Sequence, residues 1–160
     1  MAGVDYFLKI DGIPGESQDA KHKEEIELVS FSWGVTHGAL GPSVGVGSGA
    51  GRAQFKDLQA VMHVSKASPQ LFLATASGKH IKEANLSVRK AGKAQVEYLK
   101  IKLTNVIVSS FEESGGGDTP LETVAFNFGQ INVSYAAQQQ TGALGAAVEA
   151  TWDLSQNIKV

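Results

Sequence analysis

Cysteine is absent from the 160 residues, which excludes a disulfide framework, a thiolate metal site and a thiol nucleophile, and leaves the chain indifferent to the redox state around it. Charge of one sign is also missing: 14 basic and 16 acidic side chains give a net −2 and gather into no block. That balance argues against a nucleic-acid groove or a polybasic membrane patch, so no nucleic-acid partner is expected. Long hydrophobic runs are lacking too. The longest uncharged stretch, Thr123 to Val148, is broken by Asn127, Gln130, Asn132 and Gln138 to Gln140, polar groups that lipid would leave unsatisfied, so it reads as strand and loop and no membrane insertion is expected. At the N-terminus Asp5 and Lys9 interrupt the apolar residues before a secretory hydrophobic region of about 7–15 residues could form, and no signal peptide is expected.

Strand patterns fill most of the chain. From Val96 to Ser110, Leu99, Ile101, Leu103 and Ile107 fall on one face while Lys100, Lys102 and Thr104 fall on the other, the period-2 alternation of a half-buried strand. From Leu121 to Tyr135, Val124, Phe126 and Phe128 keep one phase and Ile131, Val133 and Tyr135 the opposite one, which predicts a bulge near Gly129. Further strands are expected at Val4–Ile10, Glu25–Thr36, Arg52–His63, Ile81–Lys90 and Val148–Leu154, about seven in all. In the second of these Val29, Phe31, Trp33 and Val35 share a face, so Ser30 and Ser32 point the other way. One segment departs from the β pattern: Ser68 as N-cap, Pro69 in the first turn, an apolar stripe of Leu71, Phe72, Thr75 and Ala76, and Gly78 at the end predict a short helix. The expectation is a single, mainly β domain over residues 1–160, a small β-barrel or two-sheet sandwich with one short flanking α-helix. Three Gly-rich loops, Gly38–Gly51, Ser114–Thr119 and Gln138–Ala147, project from that scaffold and suggest contacts with something outside the domain.

No constellation points to catalysis or to a cofactor. Gly45, Gly47 and Ala50 fit a loose G-x-G-x-x-A pattern, but Arg52 and a strand follow where a phosphate cradle needs a helix N-terminus. His22, His37, His63 and His80 lack the close spacing of metal ligands and read as surface or loop histidines, so no metal is expected. There is no G-x-S-x-G elbow. The acid pairs Glu24–Glu25 and Glu112–Glu113 are neighbours along the chain and read as solvated charges. Trp33 and Trp152 could stack on sugars in a monomeric carbohydrate-binding β-sandwich; Trp33, in phase with apolar neighbours, reads better as core.

Five blocks in fixed order carry a family resemblance: YFLKIDGIPGES at Tyr6–Ser17, EIELVSFSWGV at Glu25–Val35, KASPQLFLATASGKHI at Lys66–Ile81, RKAG at Arg89–Gly92 and EYLKIKLTNVIVSS at Glu97–Ser110. Together they resemble the haemolysin-coregulated protein family, Hcp, the tube subunits of the bacterial type VI secretion system. The resemblance implies a structural protein and not an enzyme. It implies a β-barrel of two sheets whose six copies close into a ring, with rings stacking into a hollow tube inside a contractile sheath and beneath a VgrG-type spike. Effector proteins would leave with the tube, some in its lumen, and the subunit would pass from the bacterial cytoplasm to the outside by that machine. On the same resemblance Leu40, Gly41, Val44, Val46, Gly47, Gly49 and Gly51 belong to a ring-stacking loop, and Ser30 and Ser32 to the lumen wall.

Overall fold

A computed structural model of the chain describes residues 3–38, 52–90 and 95–160. The elements are β1 (Val4–Ile10), β2 (Ile26–His37), β3 (Ala53–His63), α1 (Ser68–Ser77), β4 (His80–Lys90), β5 (Glu97–Ser114), β6 (Leu121–Gln138), β7 (Leu144–Asp153) and β8 (Ile158–Lys159). All strand pairs are antiparallel, in the order β3-β2-β1-β4-β5-β6-β7-β8, and β3 also pairs with β6. That extra pairing closes six strands into a barrel. It runs only from Leu58↔Phe126 to His63↔Leu121. Beyond it β3 keeps only β2, and β6 takes β7 from Gln130↔Asp153 to Gln138↔Leu144. The expected barrel and the expected sandwich are therefore both present: a barrel at one end, two parted sheets at the other.

The core follows from strand phase, since alternate residues face the same way. Leu8, Ile10, Leu58, Met62, Leu86, Val124 and Phe126 fill the barrel, with Leu71 and Ala74 of α1 seated on it. On β5 the buried positions are Ile101 and Leu103, then Val106 and Val108; on β6 they are Val124, Phe126 and Phe128, then Ile131. Both strands thus change phase, at Asn105 and Gly129. The change is not the bulge expected near Gly129, because the register between the strands is the same on both sides, Leu103↔Ile131 and Val106↔Phe128. Instead Asn105 takes a left-handed backbone (φ 54°) opposite Gly129, where a Cβ would lie 3.2 Å from the Asn105 Cβ. The two strands kink together and stay paired. Val106 takes the inward place predicted for Ile107, and the irregularity of this pair falls at Ser109, between Val108 and Ser110.

Other expectations are corrected by similar local geometry. A bulge between Leu28 and Ser30 ejects Val29, which is 48% exposed, and Leu28 is buried in its place. Phe31 and Trp33 pack against the core as expected, whereas Val35 lies largely exposed where the sheets have parted. The helix starts at Ala67 with no side-chain cap, because the Ser68 hydroxyl accepts from the Ser65 N–H at 3.0 Å; Gly78 ends it in the left-handed conformation (φ 65°). Half of the expected third Gly-rich loop is strand, leaving the five residues 139–143 as the β6–β7 turn.

Candidate assembly interface

Among the described residues, strand edges are open where the barrel parts; β3 keeps a short one from Ala53 to Asp57, and the two longest belong to β2 and β7. β2 meets β1 only at Glu27 and Ile26, so from Ser30 to His37 it pairs, among the described residues, with β3 alone. β7 meets β8 only at Trp152 and Asp153, with the Val160 N–H donating to the Thr151 carbonyl, so from Leu144 to Ala150 it pairs, among the described residues, with β6 alone. Unpaired N–H and C=O groups on such edges are a template for another strand. The exposed faces beside β7 are apolar: Tyr135 is 50% and Val148 73% exposed, and the two are cross-strand neighbours. They continue the core-side phase of Ile131 and Val133 past the point where the opposite sheet covers it.

The seam where β3 and β6 part is closed by polar side chains. Asp57 accepts from the Ser109 hydroxyl at 2.6 Å and from the Asn127 amide at 3.0 Å. These three come from β3, β5 and β6, next to the irregularities in β3 and β5. Ser32 opens into the same hollow, of about 660 Å³, with Lys56, Asp57, Gln59 and Ser109. Ser30, two residues earlier, is exposed as expected but outside that lining. Ser30 and Ser32 are thus on an outward polar face, while Leu40, Gly41, Val44, Val46, Gly47, Gly49 and Gly51 lie outside the described residues.

At the parted end the segment 14–25 crosses the outer face of β1 as a strap, pinned by a cluster that includes His22 and Glu25, which the sequence placed at the surface. His22 is 5% exposed; its ring stacks on Phe7 at 4.2 Å, its Nδ1 meets the Glu25 carboxylate at 2.6 Å, and its Nε2 meets Glu97 of β5. Arg89 of β4 is 3% exposed, sits over the same Phe7 ring at 4.8 Å, binds both Asp19 oxygens at 3.0 and 2.7 Å, and reaches Asp5 at 3.0 Å. The bidentate bond from Arg89 holds the Asp19 carboxyl well below the usual carboxylate range, against burial, and Asp19 in turn raises Arg89. Gly15 lets the strap fold back on itself, since a Cβ there would lie 2.5 Å from the Glu25 carbonyl oxygen. The DGIPGES stretch, Asp11–Ser17, with its proline and two glycines, could have flagged this close approach; nothing in the spacing of His22, Glu25 and Glu97 could. Among the described residues no three His, Cys, Asp or Glu side chains are grouped to hold a metal ion, and Trp33 and Trp152 lean on the core.

Comparison with known proteins agrees with this architecture. Residues 7–135 match the family model described as type VI secretion system effector, Hcp. The chain is 42% identical over 160 residues to Protein hcp1 of Pseudomonas aeruginosa, an alignment covering 98% of each chain. Among solved structures it resembles Hcp1 from Salmonella typhimurium at 39% identity and a TM-score of 0.82, covering all of both chains. It also resembles a protein described as a type six secretion system protein at 30% identity and a TM-score of 0.90, covering 99% of this chain and 100% of that one.

Proposed function

Because this chain belongs to the Hcp family of type VI secretion proteins, we propose that it is a structural subunit of the secretion tube, which closes into hexameric rings that stack. The observation that carries the reading is the pair of open edges, β2 on one flank and β7 on the other. Two unlike surfaces on one molecule make a head-to-tail contact, and a head-to-tail contact whose rotation closes gives a ring. The contact would also remove the exposed edges and cover Tyr135 and Val148.

On this reading the polar face of Ser30, Ser32 and the Asp57 seam faces the lumen and meets effector proteins, while Leu40 to Gly51 reaches the next ring. A VgrG-type spike and a contractile sheath are the other partners. The sheath supplies the work, so the subunit needs no catalytic residue or cofactor. It is made in the cytoplasm and leaves by the machine that it lines.

Light scattering after size exclusion, at two protein concentrations, tests the ring. Six chains of 16.8 kDa make a particle of about 101 kDa, the species expected at the higher concentration. A strict 16.8 kDa monomer at both concentrations rejects self-assembly in isolation. The sugar-binding sandwich has no comparable support, as both tryptophans are occupied in packing.

A further inference from the structure

We infer that Glu122, with Glu113 across from it, forms a proton-linked latch at the closed end of the barrel, through which acidity controls how firmly α1 is seated. The inference is independent of the tube reading.

Glu122 points inward with Val124 and Phe126 and is 0% exposed, yet among the described residues neither carboxyl oxygen has a hydrogen-bond partner. Its neighbours across the sheet are Met62 of β3, which brings no charge, and Glu113 of β5, which brings a like one. From α1, which covers this end with Ala67, Ser68 and Leu71, all buried, the facing polar group is the Ser68 hydroxyl. Ser68 and Glu113 lie beside Glu122 but outside hydrogen-bonding geometry. Among the described residues no cation faces it, and α1 has no side-chain cap and no acid of its own in the first turn.

A carboxylate here would be a buried charge without a partner, among the most costly arrangements in a protein. The neutral acid avoids that cost. Burial pushes the Glu122 carboxyl above its ordinary 4.5, with the Ser68 hydroxyl opposing and Glu113 adding to the rise. A group raised on folding contributes stability that is fully present below its unfolded value and is lost as pH rises through the folded one. Ionisation places the new charge beside Glu113 and beneath the first turn of α1. The turn over it must then lift to admit water, while the β3–β6 ladder remains paired.

The test compares the full-length wild type with Glu122→Gln, which keeps shape and polarity without charge. Hydrogen exchange of the α1 amides from Leu71 to Ser77 is read at pH 5 and pH 8, as the ratio between the two proteins so that intrinsic rates cancel. The expected ratio is near one at pH 5. At pH 8 the wild type exchanges faster, by up to about tenfold for each pH unit above the raised Glu122 value. An equal ratio at both pH values overturns the latch. Should Glu122→Gln fail to fold, the infrared spectrum of the wild type followed upward from pH 4.5 decides: the carbonyl band of one un-ionised carboxylic acid is expected to outlast those of the exposed carboxyls, and loss of all such bands together overturns the proposal.

Discussion

The closed and the parted ends of the barrel are built from the same strands, yet they solve opposite problems. At the closed end β3, β6 and β5 pair continuously and enclose Phe126, Leu58 and Met62, each at 0% exposure. At the parted end β3 and β6 separate after Leu58 and Phe126, long edges of β2 and β7 are left open among the described residues, and the cover over β1 is held by ionic groups around Phe7. Apolar burial, which needs no partner, supports the end that must stand alone. The end with unsatisfied edges is the one that a neighbouring subunit can complete. Each end also buries ionisable side chains, and they are treated oppositely: Arg89 is matched by two groups of opposite charge, whereas Glu122 faces only the like charge of Glu113.

Phe126→Ala breaks the comparison most severely. Removing a buried phenylalanine from a barrel that cannot collapse around the gap costs about 3–5 kcal/mol, and the expected readout is a large fall in the denaturant midpoint. A loss below about 1 kcal/mol would mean that the closed end does not carry the fold. Asp19→Asn acts at the other end. It leaves Arg89 with Asp5 alone, and unpairing a buried charge costs about 3–5 kcal/mol, with the remaining carboxylate keeping the loss at about 3. Because Asp19 is depressed on folding, its contribution is present above the ordinary aspartate value of 3.8 and is lost as pH falls below it. Glu122 loses its contribution in the other direction, above 4.5. Urea midpoints measured from pH 2.5 to 8 should therefore fall on both sides, with Asp19→Asn flattening the acid limb alone. A variant whose acid limb is as steep as the wild type's would remove Asp19 from the account.

The two ends were also unequally legible. Strand phase and β-branched content were enough to place Val4–Ile10 to the residue and the other long strands to within a few, because alternation reports burial directly. The phase switch on β6 was visible, but its cause was not, since Asn105 sits on a different strand and only pairing puts it opposite Gly129. Val29 and Ile107 were misplaced for the same reason: a bulge or kink inverts every later position, and alternation alone does not show where it falls. The strap cluster was the largest omission. His22 and Glu97 are 75 positions apart and Arg89 and Asp19 are 70 apart, so no local pattern announces them. Glu113 read as a solvated charge, and Glu122 drew no reading of its own although it shares the phase of Val124 and Phe126.

The smallest effect on the isolated fold, and the largest on what the molecule does, is expected from Val148→Lys. Val148 is 73% exposed beside the open edge of β7, and its neighbour Tyr135 is half exposed. In a lone subunit a lysine there meets water, so the denaturant midpoint should move by less than about 0.5 kcal/mol. In a ring the same side chain would be pressed into the neighbour's β2 flank, with Val35 exposed nearby on that strand and no described acid on β2 beyond Glu27, so its charge would be desolvated without compensation. The expected outcome is a stable 16.8 kDa monomer at concentrations where the wild type runs near 101 kDa. If Val148→Lys still assembles, β7 is not the ring edge. The hydrophobic row it continues must then be covered by stacking, which would show as intact single rings that no longer form tubes.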